Sequence, residues 1–319
     1  MAVIGTDIYE AKRLLENREV IGIPTETVYG LAGNAFDVQA VTKIFQVKNR
    51  PSFDPLIVHS TSLRNIAQFV EDIPLLAHKL AERFWPGALT LLLRKKPIIP
   101  DLVTAGLDTV AVRMPDHPLT RQLLDLLDFP VAAPSANPFG YISPTRAAHV
   151  QAQLGAQIPY ILDGGPCQVG IESTIVGFEN QKPVIFRLGG LSLEVIRDTI
   201  GPVEVLPYSS SNPQAPGMLK SHYAPRKPLY INGLHEILEQ YPPEKIGYMG
   251  FVSLAVQLPE QNQVLLSQTQ DYAEAAQNLF AAMRKLDAMP HLDVIVTELL
   301  PEENLGRAIN DRIRRAAIP

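Results

Sequence analysis

Two cations one residue apart, Lys48 and Arg50, stand in the segment Lys48-Asn49-Arg50-Pro51-Ser52-Phe53-Asp54-Pro55. A guanidinium grips phosphate through two parallel hydrogen bonds and an ammonium acts as a point charge, so the pair suits a polyphosphate. The same residues equally suit a helix C-terminus, a placement worth only about 0.3–1 kcal/mol. Pro24-Thr25-Glu26-Thr27-Val28-Tyr29-Gly30-Leu31 puts two hydroxyls and a carboxylate just after a strand-like run. α/β sheets bind ligands at such strand ends, though a polar turn with Thr or Glu capping a helix has the same composition. Arg113 closes the apolar run Thr109-Val110-Ala111-Val112. A buried arginine needs an anion, either a substrate carboxylate or an internal Asp or Glu, and the residues alone favour the internal pair. His59 ends another apolar run, where a packed, hydrogen-bonded histidine is the common case. Ala133-Pro134-Ser135-Ala136-Asn137-Pro138 and Ser143-Pro144-Thr145 offer small hydrogen-bonding groups on tight turns, suited to a nucleotide and to plain loop architecture alike. Asp163-Gly164-Gly165-Pro166-Cys167, Gly170-Ile171-Glu172-Ser173-Thr174 and Phe186-Arg187-Leu188-Gly189-Gly190 let backbone approach a ligand closely, but form neither a P-loop nor G-x-G-x-x-G. Nothing near Cys167 marks an activated thiolate, so it reads as structural.

These groups need elements to hold them. Strand-like runs occur at Val20–Pro24, Leu56–His59, Leu89–Leu93, Thr109–Val112, Val131–Ala133, Thr174–Val176 and Val184–Phe186. Helical spacing links Val38, Val41, Ile44, Phe45 and Val47, and the alternation predicts an α/β fold. From Pro202 to Pro228 periodicity fades into Pro207-Tyr208-Ser209-Ser210-Ser211-Asn212-Pro213 and Pro216-Gly217, the composition of a linker. Beyond it, Leu229–Ile231 and Leu292–Thr297 read as strands and Leu234–Gln240 as a helix. Tyr272, Ala275, Ala276, Leu279, Phe280, Met283 and Leu286 share one face of a longer helix, which together predicts a small α/β sandwich with parallel strands. The 319 residues, 46% hydrophobic and 19% charged, suffice for two domains with substantial cores. A net charge of −5 provides no global field for nucleic acid, and one cysteine excludes an internal disulfide and points to a reducing compartment, the cytoplasm. The N-terminus has no signal-like apolar region, and no apolar run reaches the roughly 20 residues of a membrane span.

In this order the segments resemble the threonylcarbamoyl-AMP synthase family, in its long form with a YrdC-like catalytic domain. The resemblance is carried by Pro24–Leu31, Lys48–His59, Pro86-Gly87 with Leu89–Leu92, Thr109–Pro115, Pro134–Asn137, Ser143–Thr145, Asp163–Val176 and Arg187–Gly189. Pro216-Gly217-Met218-Leu219-Lys220-Ser221-His222-Tyr223-Ala224-Pro225 is similar to the family's His-Tyr-Ala-Pro loop, which distinguishes the long form. Asp54 departs from the motif, which carries Asn there; a carboxylate near phosphates repels them unless a cation intervenes.

The resemblance implies a twisted mixed-sheet catalytic domain over residues 1–203, a linker over 204–227 and a smaller Rossmann-like α/β/α sandwich over 228–319. It implies synthesis of L-threonylcarbamoyl-AMP from L-threonine, bicarbonate or CO2, and ATP with Mg²⁺, releasing pyrophosphate. A downstream transferase would carry the product to tRNA. Lys48, Arg50, Asp54, Thr109, Ser135, Asn137, Ser143, Arg187 and Tyr223 would then serve ATP, with Lys48 and Arg50 at the reacting phosphates. Thr27, His59, Arg113, Ala133 and Ser173 would hold threonine, Arg113 on its carboxylate. No protein-bound metal or organic cofactor is expected. The arginines of Gly306-Arg307-Ala308-Ile309-Asn310-Asp311-Arg312-Ile313-Arg314-Arg315 read as a solvated helix face. Two other classes stay open: an RNA-binding YrdC-like module, and a related carbamoyl-adenylating enzyme using carbamoyl phosphate.

Overall fold

The computed structural model describes residues 1–206, 215–218 and 222–317. Part of the expected linker, Pro207 to Gln214, and Leu219, Lys220 and Ser221 of the His-Tyr-Ala-Pro segment lie outside the described residues.

Among the described residues the first sheet has eleven strands: β1 (Val3–Gly5), β2 (Ile21–Ile23), β3 (Gly30–Asn34), β4 (Ile57–His59), β5 (Leu89–Arg94), β6 (Thr109–Arg113), β7 (Val131–Ala132), β8 (Tyr160–Leu162), β9 (Thr174–Glu179), β10 (Lys182–Arg187) and β11 (Glu204–Val205). Their order is β1-β8-β2-β3-β7-β4-β6-β5-β9-β10-β11, with parallel and antiparallel pairs mixed. The apolar runs read as strands all fall on strands, shifted by one to three residues at their ends. The strand β3 was not among the strand-like runs: it begins within the segment Pro24–Leu31 read as a polar turn and runs three residues beyond it. Its sequence Gly-Leu-Ala-Gly-Asn has no β-branched residue, and it pairs antiparallel with β2 and β7, with space for no more than glycine at Gly30 and Gly33. A Cβ on Gly30 would lie 3.1 Å from that of Ala133.

The helix Val38–Lys48 starts where Asp37 accepts from the backbone N–H groups of Gln39 and Ala40, and buries Ala40, Val41, Ile44 and Phe45. Val38, expected on that face, is exposed. Asn49 ends the helix in the left-handed conformation, φ 50°, which turns the chain sharply between Lys48 and Arg50. Register does the rest of the positioning. Parallel pairing sets Arg113 beside His59, and antiparallel pairing sets Arg113 opposite Thr90. Arg187 ends β10 opposite Ile175, two residues past Ser173.

The second sheet, β12 (Leu229–Ile231), β13 (Ile246–Gly250), β14 (Gln263–Leu265) and β15 (Val294–Thr297), runs in the order β12-β15-β13-β14 with every pair parallel. The helices Tyr272–Ala288 and Gly306–Ala316 pack on it through Leu279, Phe280, Met283, Ile309 and Ile313. Among the described residues no helix is long and apolar enough to cross a membrane.

The helix Tyr272–Ala288 also grips the first sheet's loops. Arg284 donates through Nε to the Ser143 carbonyl and through Nη2 to the Ile142 carbonyl, while Tyr141 donates to Asp287 at 2.5 Å. Asp287 in turn accepts from the backbone N–H groups of Arg226 and Lys227 at 2.8 and 3.0 Å, pinning the chain as it leaves the linker. Gly170 makes the closest approach: its φ is +77°, and a Cβ there would sit 2.4 Å from the Gln277 Cα. We expect Gly170→Ala to cost about 1–3 kcal/mol from backbone strain and the forced separation of loop and helix. Denaturant unfolding measures it, and an unchanged midpoint would show that this contact is not tight in solution.

Candidate active site

Sheet register and the linker enclose one cleft. Thr27, Arg50, His59, Arg113, Ala133, Ser135, Ser173, Arg187 and Tyr223, all singled out in the sequence, line it, joined by Glu172, Gly217 and His222.

One wall is the loop after β2. Thr25 Oγ1 donates to the Val28 carbonyl at 2.6 Å and accepts from the N–H groups of Thr27 and Val28, which folds the loop back on itself. Arg113 Nη1 then donates to Thr27 Oγ1 at 2.8 Å and Nη2 pairs with Glu26 Oε1 at 2.6 Å. The internal carboxylate is therefore present, and it leaves two of Arg113's five N–H donors for a ligand. Removing one member of so buried a pair typically costs about 3–5 kcal/mol.

The opposite wall centres on Ser173. Arg187 donates from Nη2 to the Ser173 carbonyl at 2.9 Å and to its Oγ at 3.0 Å, and that Oγ shares a 2.7 Å hydrogen bond with Thr90. Glu172 accepts from Ser143 Oγ at 2.6 Å and from Arg312 Nε at 3.1 Å. Burial alone would raise its pKa, but Arg312, Arg187 and the Ser143 hydroxyl together bring it below the usual carboxylate value.

At the third wall Lys48 is 1% exposed and lies behind the lining. Its Nζ donates to the carbonyls of Ser135 and Asn137 at 2.5 and 2.6 Å, so it holds the loop whose Ser135 faces the cleft. Burial, and next the Arg50 charge, hold its pKa well below the ordinary lysine value. Arg50 does reach the cleft. It pairs with the fully buried Asp54 at 2.9 Å and donates to the carbonyls of Asp54 and Pro55. Asp54 thus meets a cation of its own chain. Asn137 also sits behind the wall, its Nδ2 donating to the carbonyls of Pro138 and Tyr141, both at 2.8 Å.

Thr109 is not brought to the cleft. It starts β6 opposite Arg94, whereas Arg113 ends the strand, and four residues at about 3.3 Å each separate the two. Two of the final helix's four arginines are a second correction: Arg312 is 0% and Arg315 1% exposed, whereas Arg314 is solvated as expected. Both pair with Asp311, and Arg312 also with Glu172, so burial costs them no unmatched charge. A signal existed: Arg312 follows Ile309 by three residues and precedes Ala316 by four, on the helix's buried side.

The linker forms the fourth wall. Tyr223 is buried, with the guanidinium carbons of Arg315 and Arg312 4.8 and 5.6 Å from its ring centre and Phe280 beneath. His222 packs edge-on against Phe139 and Tyr223. Burial first, then Arg315, Arg50, Lys48 and Arg187, push His222 far below the ordinary histidine pKa. Cations from three separate stretches of chain thus act on His222. Burial also keeps Cys167 protonated, pushing it up to about 12.

A mixed α/β sheet bearing this arginine-lined cleft, closed by a parallel α/β unit, defines a two-domain enzyme with a YrdC-like catalytic unit. The Sua5/YciO/YrdC sequence model, described as "telomere recombination", matches residues 13–189, and the model of the threonylcarbamoyl-AMP synthase C-terminal domain matches residues 191–318. A threonylcarbamoyl-AMP synthase of Pyrococcus abyssi is 39% identical across 96% of this chain and 93% of its own length, and one of Bacillus subtilis 39% identical across 97% and 92%. The crystal structure of P. abyssi Sua5 complexed with L-threonine superposes with a TM-score of 0.91 at 37% identity, covering 99% of this chain and 97% of that one. The chain belongs to the threonylcarbamoyl-AMP synthase family, in its long, two-domain Sua5 form.

The buried histidines make stability pH-dependent. Burial, and then Arg113, lower His59 to about 3, so the unfolded chain takes up its proton first as pH falls. The stabilisation is complete above the unfolded pKa near 6.5 and drains as pH falls from there towards 3. Between pH 7 and 5 His59 alone should cost about 1–2 kcal/mol. Denaturant unfolding of wild type and His59→Gln at both pH values checks this: the variant should lose correspondingly less, and equal losses would show that His59 titrates normally in the fold.

Proposed function

We propose that this chain makes L-threonylcarbamoyl-AMP from L-threonine, CO2 or bicarbonate, and ATP, releasing pyrophosphate. A separate transferase would then use the product to form threonylcarbamoyladenosine in cytoplasmic tRNA. The observation that carries the reading is that Arg50 and Arg187 line the cleft beside His222, with Thr27 and Arg113 bordering the same cleft. A concentrated positive field suits a triphosphate, and an arginine with spare donors beside a hydroxyl suits an amino acid carboxylate.

The neutral threonine amine forms a C–N bond to CO2 and loses a proton, giving an N-carboxylate. An oxygen of that group bonds to the α-phosphorus while the bond to the β-phosphate oxygen breaks and pyrophosphate leaves with its electrons. This chemistry calls for positioning and charge neutralisation in place of a protein nucleophile. On this reading Arg50 and Arg187, which line the cleft, would hold phosphate oxygens, Lys48 would keep the Ser135 loop in register, and Arg113 would orient threonine. Glu26, Glu172 and Asp54 are each matched to an arginine, and no group of three metal-binding side chains occurs among the described residues. A resident metal does not fit this donor set, so Mg²⁺ enters as ATP's own counter-ion. The cleft's free volume is only about 50 Å³, far below the roughly 300 Å³ at which small-molecule sites begin, so the wall of Gly217, His222 and Tyr223 must swing out to admit the nucleotide and then exclude water.

Pyrophosphate release should require ATP, threonine and bicarbonate together, with the adenylate identified by mass; turnover without threonine would defeat the reading. Arg113→Ala should raise the half-saturating threonine concentration about tenfold or more with little change for ATP, since charge-assisted pairs are worth about 1.5–3 kcal/mol. Arg50→Ala should do the reverse. Equal small effects on both substrates would remove this division of roles.

A further inference from the structure

His59 borders two spaces. One is the cleft; the other is a cavity of about 270 Å³ between the segment that follows β4 and the segment from Leu124 to Pro130. Among the described residues His59 alone lines both. The second cavity's rim carries the exposed Asn65, Gln68 and Asp128, while His59, Ser60 and Phe69 are buried in its floor. The imidazole is 2% exposed and its Nδ1 is buried with no hydrogen-bond partner.

We propose that this cavity is a side entrance by which neutral CO2 reaches the cleft, with the His59 side chain as its partition. The inference builds on the proposed synthesis and addresses a difficulty it creates. The empty cleft has a free volume of only about 50 Å³ behind its linker wall, so ATP and threonine, once admitted and enclosed, leave the front no room for a third substrate. The one-carbon substrate must still meet the amine of a threonine whose carboxylate is held by Arg113, at the His59 end of the cleft, since Arg113 and His59 are paired across adjacent strands. The cavity lining holds no lysine or arginine and has one carboxylate at its rim, Asp128. That lining disfavours bicarbonate and leaves a small neutral molecule unhindered.

Gln68→Cys provides a removable plug. The native Cys167 is 3% exposed and held protonated, so a benzyl methanethiosulfonate reagent will modify position 68 selectively, as mass spectrometry verifies. The plugged enzyme should need about fivefold or more bicarbonate for half-maximal rate, with threonine and ATP requirements unchanged and full reversal by dithiothreitol. Rapid mixing with CO2 or with bicarbonate, before the two equilibrate, should show the unplugged enzyme taking CO2. An unchanged bicarbonate requirement in fully modified enzyme, parallel losses for all three substrates, or direct use of bicarbonate would each overturn the side entrance. Wild-type turnover that ignores bicarbonate would instead overturn the proposed synthesis itself.

Discussion

A carboxylate with 7% exposure cannot stay ionised without cations, and Glu172 meets that requirement by joining three parts of the chain. It takes Arg312 from the last helix, Ser143 from the loop before the helix Ala147–Leu154, and feels Arg187 at the end of β10. In a low-dielectric interior each of these charges is tolerable only while the others are in place. The second domain is therefore more than an appendage: through Arg312 and Arg315 it completes the electrostatics of a cleft whose floor belongs to the first sheet.

The same rule explains the rest of the cleft. Arg113 has Glu26 and Arg50 has Asp54, and each pair spans a strand or helix end that local sequence leaves free to move. Matching Arg50, Arg113 and Arg312 with internal carboxylates, and Arg187 with the carbonyl and hydroxyl of Ser173, lets the site exist folded without its substrates. The spare donors of Arg113 and the convergence at His222 are what remain for them. Tyr223, clasped by Arg312 and Arg315 and resting on Phe280, ties the linker to the same network, so linker position and cleft electrostatics depend on one set of contacts.

Residues on the first sheet's apolar runs were legible because burial on both faces demands continuous Val, Ile and Leu, and the site residues follow those runs directly. His59 and Arg113 are of this kind, whereas β3 was hidden because small residues required by close strand approach resemble a turn. Thr109 shows the opposite failure. It shares a strand with Arg113, and chain proximity says nothing about which end of the strand meets the ligand.

By itself, the sequence determined the α/β alternation, the family, and most residues around the cleft, because strand ends, turn glycines and cations in fixed spacing are local properties of the chain. Only the tertiary structure decided what those residues touch. Lys48 turned inward to two carbonyls, Asp54 was neutralised by Arg50, and two helix arginines passed from an expected solvated face to the buried core. Each outcome depends on a partner distant along the chain or on the direction of a turn, and Coulomb pairing between such partners exists only once the sheets and the last helix have come together.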